Sequence, residues 1–125
     1  MKLTAWATIA SLLMYIWVFA KAGQARGKYK VAAPYTDGPV EFLTAQRVQA
    51  NTVEQLILFL PLLWLCCVFL NDMIAASLGG FWVIGRVLYA LGYYEAPSKR
   101  SLGFGISSLA AVALLGCTIF GLIFH

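Results

Sequence analysis

The spacing of charges along this chain constrains its fold more than any other feature. Leu3 to Ala20 carries no charge, Gln55 to Asn71 carries none, Met73 to Tyr94 carries only Arg86, and Ser101 to His125 carries none. A helix needs about 20 apolar residues to cross a bilayer, so these runs predict four transmembrane helices. With short connections the spans use nearly all of the 125 residues, which makes 1–125 one domain with no room for a soluble catalytic unit. At 62% hydrophobic and 11% charged residues, with a mean hydropathy of +0.81, the chain has too little polar surface to cover a soluble core. Its net charge of +4 is then read as a set of topology determinants, and nucleic-acid binding is not expected.

The first run, preceded by Lys2 and followed by Ala20, Lys21 and Ala22, has some features of a secretory signal. It is longer than the usual h-region of ~7 to 15 residues and is expected to remain as a helix. The first connection, Lys21 to Leu43, holds Gly23, Gly27, Gly38, Pro34 and Pro39 with Lys21, Arg26, Lys28 and Lys30, and is expected to be a basic, turn-rich loop. The second, around Asn71 and Asp72, is very short, and the third, Glu95 to Ser101, carries Pro97, Lys99 and Arg100. Short links join antiparallel neighbours, so the expected architecture is an all-α, up-down-up-down four-helix membrane bundle. The basic residues of the first and third connections outweigh the single Lys2 on the other side, which puts those connections in the cytoplasm and both termini opposite. No internal repeat or low-complexity segment is present.

Cys66, Cys67 and Cys117 lie inside apolar runs, two of them adjacent, which is poor geometry for a structural bridge. They are read as buried small hydrophobes. The one histidine is His125, and no CxxC or HExxH spacing occurs, so neither a zinc nor a haem site is expected. Pro61 lies mid-span and is expected to kink the second helix, and the four tryptophans read as membrane anchors or bundle packing.

Polar residues inside the spans carry the functional signal. At ~100° per residue Arg47, Asn51 and Glu54 fall within about 60° of one another on the second helix. Arg86, Tyr89 and Tyr93 share a face of the third, with Arg100 just beyond. An ionisable group inside a bilayer costs about 2.5 to 3.5 kcal/mol on insertion scales, so such stripes must meet a partner, a cavity or the interface. Two arrangements satisfy them. Arg47 could snorkel, Glu54 could pair with Arg86, and Tyr89, Tyr93 and Tyr94 could form an interfacial belt. Alternatively the stripes converge on a ligand: guanidiniums for carboxylates, one carboxylate for an ammonium, and an amide and phenols for the rest, an inventory that suits a small zwitterionic peptide with excess negative charge. Gln49 lies about 160° from that face and reaches the same ligand only across a subunit boundary, or else makes an ordinary interhelical hydrogen bond.

The sequence Arg47-Val-Gln49-Ala-Asn51-Thr-Val-Glu54, with Gly85-Arg86-Val-Leu-Tyr89, Gly92-Tyr93-Tyr94-Glu-Ala-Pro97-Ser-Lys-Arg100-Ser101 and Thr36-Asp-Gly38-Pro39-Val-Glu41-Phe42, resembles the MAPEG family of membrane proteins in eicosanoid and glutathione metabolism over essentially the whole chain. It is most similar to the type-3 microsomal glutathione transferase branch. The resemblance implies a homotrimer with a glutathione site at each interface, open to the cytoplasm. Arg47, Asn51, Glu54, Arg86, Tyr89, Tyr93 and Arg100 would line one side of the site, and Arg26 and Gln49 would come from the adjacent protomer. Gln55 and Gly27 stand where the synthase branch has tyrosine and arginine. The non-enzymatic scaffold branch generally lacks the full set of arginines present here.

The implied activity is glutathione transfer to lipophilic electrophiles, reduction of lipid hydroperoxides, or both. Only the thiolate is a good nucleophile, and with no histidine inside the bundle the candidate for stabilising it is Arg100. Ser101 either donates to that thiolate or caps the fourth helix. The second substrate is expected to be apolar and to enter from lipid. A proton-coupled multidrug exporter would need a carboxylate in its first span, where Leu3 to Ala20 has none. A membrane scaffold that binds lipid or glutathione without catalysis would keep the cleft and need no thiolate activation.

Overall fold

A computed structural model describes residues 1–124. It is an up-down-up-down bundle of four helices: α1 (Lys2–Tyr29), α2 (Val40–Phe69), α3 (Asp72–Glu95) and α4 (Ser101–Phe124), with a one-turn 3-10 helix at Pro97–Arg100 leading into α4. All four are long and apolar enough to cross a membrane, and the chain is an integral multi-pass membrane protein.

The first connection is much shorter than the sequence suggested. α1 continues past the apolar run to Tyr29 and α2 starts at Val40, so only residues 30–39 form a loop. Lys21, Arg26 and Lys28 therefore ride on a helix that projects beyond its apolar part. Basic side chains near a helix C-terminus are favoured by its dipole, and Gly23 and Gly27 cost only about 1 kcal/mol each, whereas Pro34 and Pro39 stop the helix outright. Lys30 closes α1 in a left-handed conformation (φ 57°), and the Val31 N–H returns to the Arg26 carbonyl at 3.0 Å. The helical span of α2 runs unbroken through Pro61.

At the opposite end the Asn71 side chain caps α3 by accepting from the Ile74 N–H at 3.0 Å. Asp72 reaches across to α1, where it accepts from the Thr4 N–H at 2.9 Å and the Thr4 hydroxyl at 2.7 Å. The start of α1 is thus tied to the start of α3. In the middle of the bundle the Trp82 and Phe59 rings stack at 3.9 Å and 3°, amid Leu63, Cys66 and Leu114. The three cysteines are free, with Cys66 and Cys67 buried.

α3 and α4 approach at backbone distance. A Cβ on Gly85 would stand 2.6 Å from the Ser107 nitrogen, and one on Gly103 would collide with the Tyr89 nitrogen. Only glycine fits this crossing, which fixes Tyr89 directly beside the head of α4.

Candidate functional site

The two polar stripes converge. Arg47 and Asn51, one turn apart on α2, Tyr89 and Tyr93, one turn apart on α3, and Arg100, Ser101, Phe104 and Gly105 at the head of α4 line one cavity of about 410 Å³. The Tyr89 and Tyr93 rings meet edge-on at 5.6 Å and 84°, and Phe104 lies 6.2 Å from Tyr89. The 3-10 turn aims Arg100: its Nη1 donates to the Pro97 carbonyl at 2.9 Å while its guanidinium stands 5.2 Å from the centre of the Tyr93 ring. Ser101 already has helical angles (φ −62°, ψ −40°), so it is not an N-cap, and it lines the cavity. The lining has two guanidiniums, an amide, two phenols and a hydroxyl, with no carboxylate among them. It is built to receive an anion rich in hydrogen-bonding groups.

Arg86 stands behind this wall and does not face the opening. Its side chain is 1% exposed. Nη2 donates to Asn51 Oδ1 at 2.7 Å and to Thr52 Oγ1 at 3.1 Å, and Cζ lies 4.2 Å from the centre of the Tyr89 ring. Nε and Nη1 are buried without a hydrogen-bond partner among the described residues. Glu54 does not pair with it, since no ion pair between them is formed and Glu54 lies on an exposed side of α2. At this site a buried cation holds two cavity residues, Asn51 and Tyr89, in place.

Arg26 and Gln49 lie elsewhere. Together with Phe19, Ala22, Gly23 and Gln46 they line a separate cavity of about 280 Å³ between α1 and α2. Arg26 Nη1 donates to the Tyr35 carbonyl at 2.7 Å, and Gln49 Nε2 donates to the Tyr15 hydroxyl at 3.0 Å. The interhelical hydrogen bond that Gln49 was free to make is therefore present. Neither Glu54 nor Gln55 lines either cavity. The structure thus brings Arg47, Asn51, Tyr89, Tyr93 and Arg100 together within one protomer, with Arg86 behind them and Glu54 exposed outside the cavity, and leaves Arg26 and Gln49 on another face.

Sequence reasoning missed Thr52, which shares Arg86 with Asn51, and Phe104, which follows Arg100 by four residues and so shares its face. The first could have been found from its position beside Asn51, the second from helical spacing. Among the described residues no group of three His, Cys, Asp or Glu could hold a metal, and His125 lies outside them.

The MAPEG family matches residues 4–120. An uncharacterized protein of Synechocystis is 44% identical over 108 residues, covering 86% of this chain and 79% of that one. Human microsomal glutathione S-transferase 2 is 39% identical over 111 residues, covering 87% and 76% respectively. Mouse leukotriene C4 synthase is 31% identical over 123 residues, covering 98% and 82%. With the match running through all four helices and every polar residue of the cavity, the chain belongs to the MAPEG family.

Proposed function

We propose that this protein is a membrane-bound glutathione transferase, with glutathione peroxidase activity toward lipid hydroperoxides, that works without a metal. The reading rests on one observation above all: a cavity at the basic end of the bundle lined by Arg47, Asn51, Tyr89, Tyr93, Arg100 and Ser101 and free of carboxylates. Glutathione has two carboxylates, one ammonium and a thiol, and it is the co-substrate implied by the names of the transferase relatives. Arg47 and Asn51 bind its carboxylate end, Tyr89 and Tyr93 its amides, and Glu54 its ammonium. Arg26 and Gln49 reach it from a neighbouring protomer of a homotrimer, which is consistent with their place on the other side of α2. The site opens to the cytoplasm and both termini lie opposite, as the basic loops favour.

Arg100 is the catalytic residue of this proposal. A thiol with a pKa near 8.5 is mostly protonated at neutral pH, and a guanidinium beside the sulfur favours the thiolate, each unit of lowering being worth about 1.4 kcal/mol. No histidine stands in residues 1–124 to serve as base, so the proton leaves to water. The sulfur then attacks an electrophilic carbon, forming the S–C bond as the leaving group departs with its electron pair. With a hydroperoxide it attacks the terminal oxygen: the O–O bond breaks, the lipid alkoxide takes a proton to become the alcohol, and a second glutathione converts the sulfenic acid to disulfide and water. The lipophilic partner approaches from the bilayer.

The test is glutathione-dependent turnover of an aryl halide and a lipid hydroperoxide by detergent-purified protein. Glutathione binding without turnover of either would replace this reading by that of a scaffold. Mass determination of the detergent complex checks the trimer, and a monomer with full glutathione affinity would refute it.

A further inference from the structure

A different cavity, of about 470 Å³, lies at the same end of the bundle between α1, α2 and α3. Lys21, Gln24 and Lys28 reach it from α1, Glu41 and Thr44 from α2, and Tyr94 from α3. Lys21 and Lys28 are seven residues apart and so share one helix face. Space for the cavity comes from Ala25 and Ala45, small buried residues at the point where α1 and α2 meet.

The level of this cavity points to its ligand. Lys21 is the first charged residue after the uncharged run of α1, and Tyr94 is the last residue before charge resumes at Glu95. The cavity therefore straddles the boundary between hydrocarbon and water, where lipid phosphates lie. Its cations are unspent. Among the described residues neither lysine has a carboxylate within 4.0 Å; Lys21 lies 6.0 Å from the centre of the Tyr94 ring and Lys28 lies 5.3 Å from that of Tyr29. The Tyr94 hydroxyl is buried and has no hydrogen-bond partner among the described residues. Glu41 stands in the first turn of α2, where the helix N-terminus already offsets a negative charge, and Glu95 is occupied by Lys99.

We propose that this cavity binds the phosphodiester headgroup of an anionic phospholipid, with Lys21 and Lys28 on the phosphate and the Tyr94 hydroxyl and Gln24 amide completing its hydrogen bonds. Basic pockets between transmembrane helices suit such headgroups. Tyr93 lines both this cavity and the one that holds Arg100, so an occupant here bears on a wall of the other. The site stands apart from the glutathione reading, and lipid binding is measured without glutathione.

The experiment purifies the protein in detergent, exposes it to equimolar phosphatidylglycerol and phosphatidylcholine, and counts retained lipid by native mass spectrometry. Wild type should retain phosphatidylglycerol preferentially at one molecule per chain. Each interfacial lysine near an anionic headgroup is worth about fivefold in binding, so Lys21→Gln with Lys28→Gln should lower retention by about thirty-fold. Lys30→Gln, outside the cavity, should leave it unchanged, and Lys21→Arg with Lys28→Arg should retain the preference even if the glutamine pair fails to fold. Equal retention of both lipids, retention insensitive to the lysine charges, or displacement by millimolar inorganic phosphate would each overturn the proposal.

Discussion

Arg86 carries a consequence that runs against intuition: removing it should cost the empty protein nothing. Its two hydrogen bonds, to Asn51 at 2.7 Å and Thr52 at 3.1 Å, have a charged donor. Such bonds stabilise by about 1.5 to 3 kcal/mol each, or roughly 3 to 6 together. Against this stand two buried donors, Nε and Nη1, with no partner among the described residues. Each costs about 1 to 3 kcal/mol, and desolvating the guanidinium without a counter-ion costs several more. Arg86→Met keeps most of the volume and the apolar stem. It leaves Thr52 still donating to the Val48 carbonyl at 2.7 Å, and leaves Asn51, half-exposed at the cavity, free to bond water. The variant should unfold at the same temperature as wild type or a few degrees higher without glutathione. Glutathione affinity should fall by ~1.5 to 3 kcal/mol, about ten- to a hundred-fold, because Asn51 and Tyr89 are no longer held. Thermal unfolding followed by circular dichroism and calorimetric titration measure the two quantities. Clear destabilisation of the empty protein with affinity unchanged would make Arg86 a structural keystone and refute the reasoning.

Substitutions at three further sites, with one control, divide the remaining roles. Glu54→Gln should weaken glutathione binding by ~1.5 to 3 kcal/mol if this carboxylate receives the ammonium, and unchanged calorimetric affinity counts against that role. Arg100→Ala should still bind glutathione, while turnover at neutral pH falls steeply and recovers as pH rises toward the free thiol pKa of ~8.5; a loss equal at every pH, or a normal ultraviolet thiolate signal at saturating glutathione, rules out the thiolate role. Arg100→Lys should keep part of the activity as a point charge without the planar fork. Gly103→Ala should destabilise by ~1 to 3 kcal/mol because its Cβ would meet the Tyr89 nitrogen and push α3 from α4, whereas Gly116→Ala, with open space around it, should be near neutral. Equal unfolding temperatures for the two alanine variants would show that the crossing can relax.

Charge-free runs located all four spans because a bilayer admits so few charges, but the same signal misplaced the end of α1. Charge marks where hydrocarbon stops, and a helix need not stop there: Lys21 to Tyr29 stays helical beyond the uncharged run. The convergence of Arg47 and Asn51 with Tyr89 and Tyr93 was legible because helical periodicity fixes direction. Depth was not legible. Arg86 shares the direction of Tyr89, yet whether its guanidinium reaches the opening depends on how closely α2 and α4 cover it, and that closeness is set by backbone contact at Gly85 and Gly103. Glu54 shares the direction of Arg47 but stands seven residues, about 10 Å, further along α2, and so lies outside the cavity lining.

The placement of residues around α2 also bears on the symmetry of the proposed assembly. Arg47 and Asn51 face the cavity shared with α3 and α4, while Gln49 faces the groove shared with α1 and Arg26. Glu54 is exposed immediately before the uncharged run of α2 and has no ion pair among the described residues. An isologous two-fold contact uses one self-complementary patch, and Gln49 lies about 160° around α2 from Arg47 and Asn51, too far to share a patch with them, so neither cavity would be completed. A heterologous contact sets the Arg26 and Gln49 face of one protomer against the Arg47, Asn51 and Glu54 face of the next. Such contacts either close into a ring or propagate as a filament, and the proposed trimer is the closed case. In the proposed trimer each ring position would gain a complete site, with the exposed Glu54 beside it. On this reasoning, oligomerisation and the glutathione site are two consequences of one arrangement of polar side chains on α2.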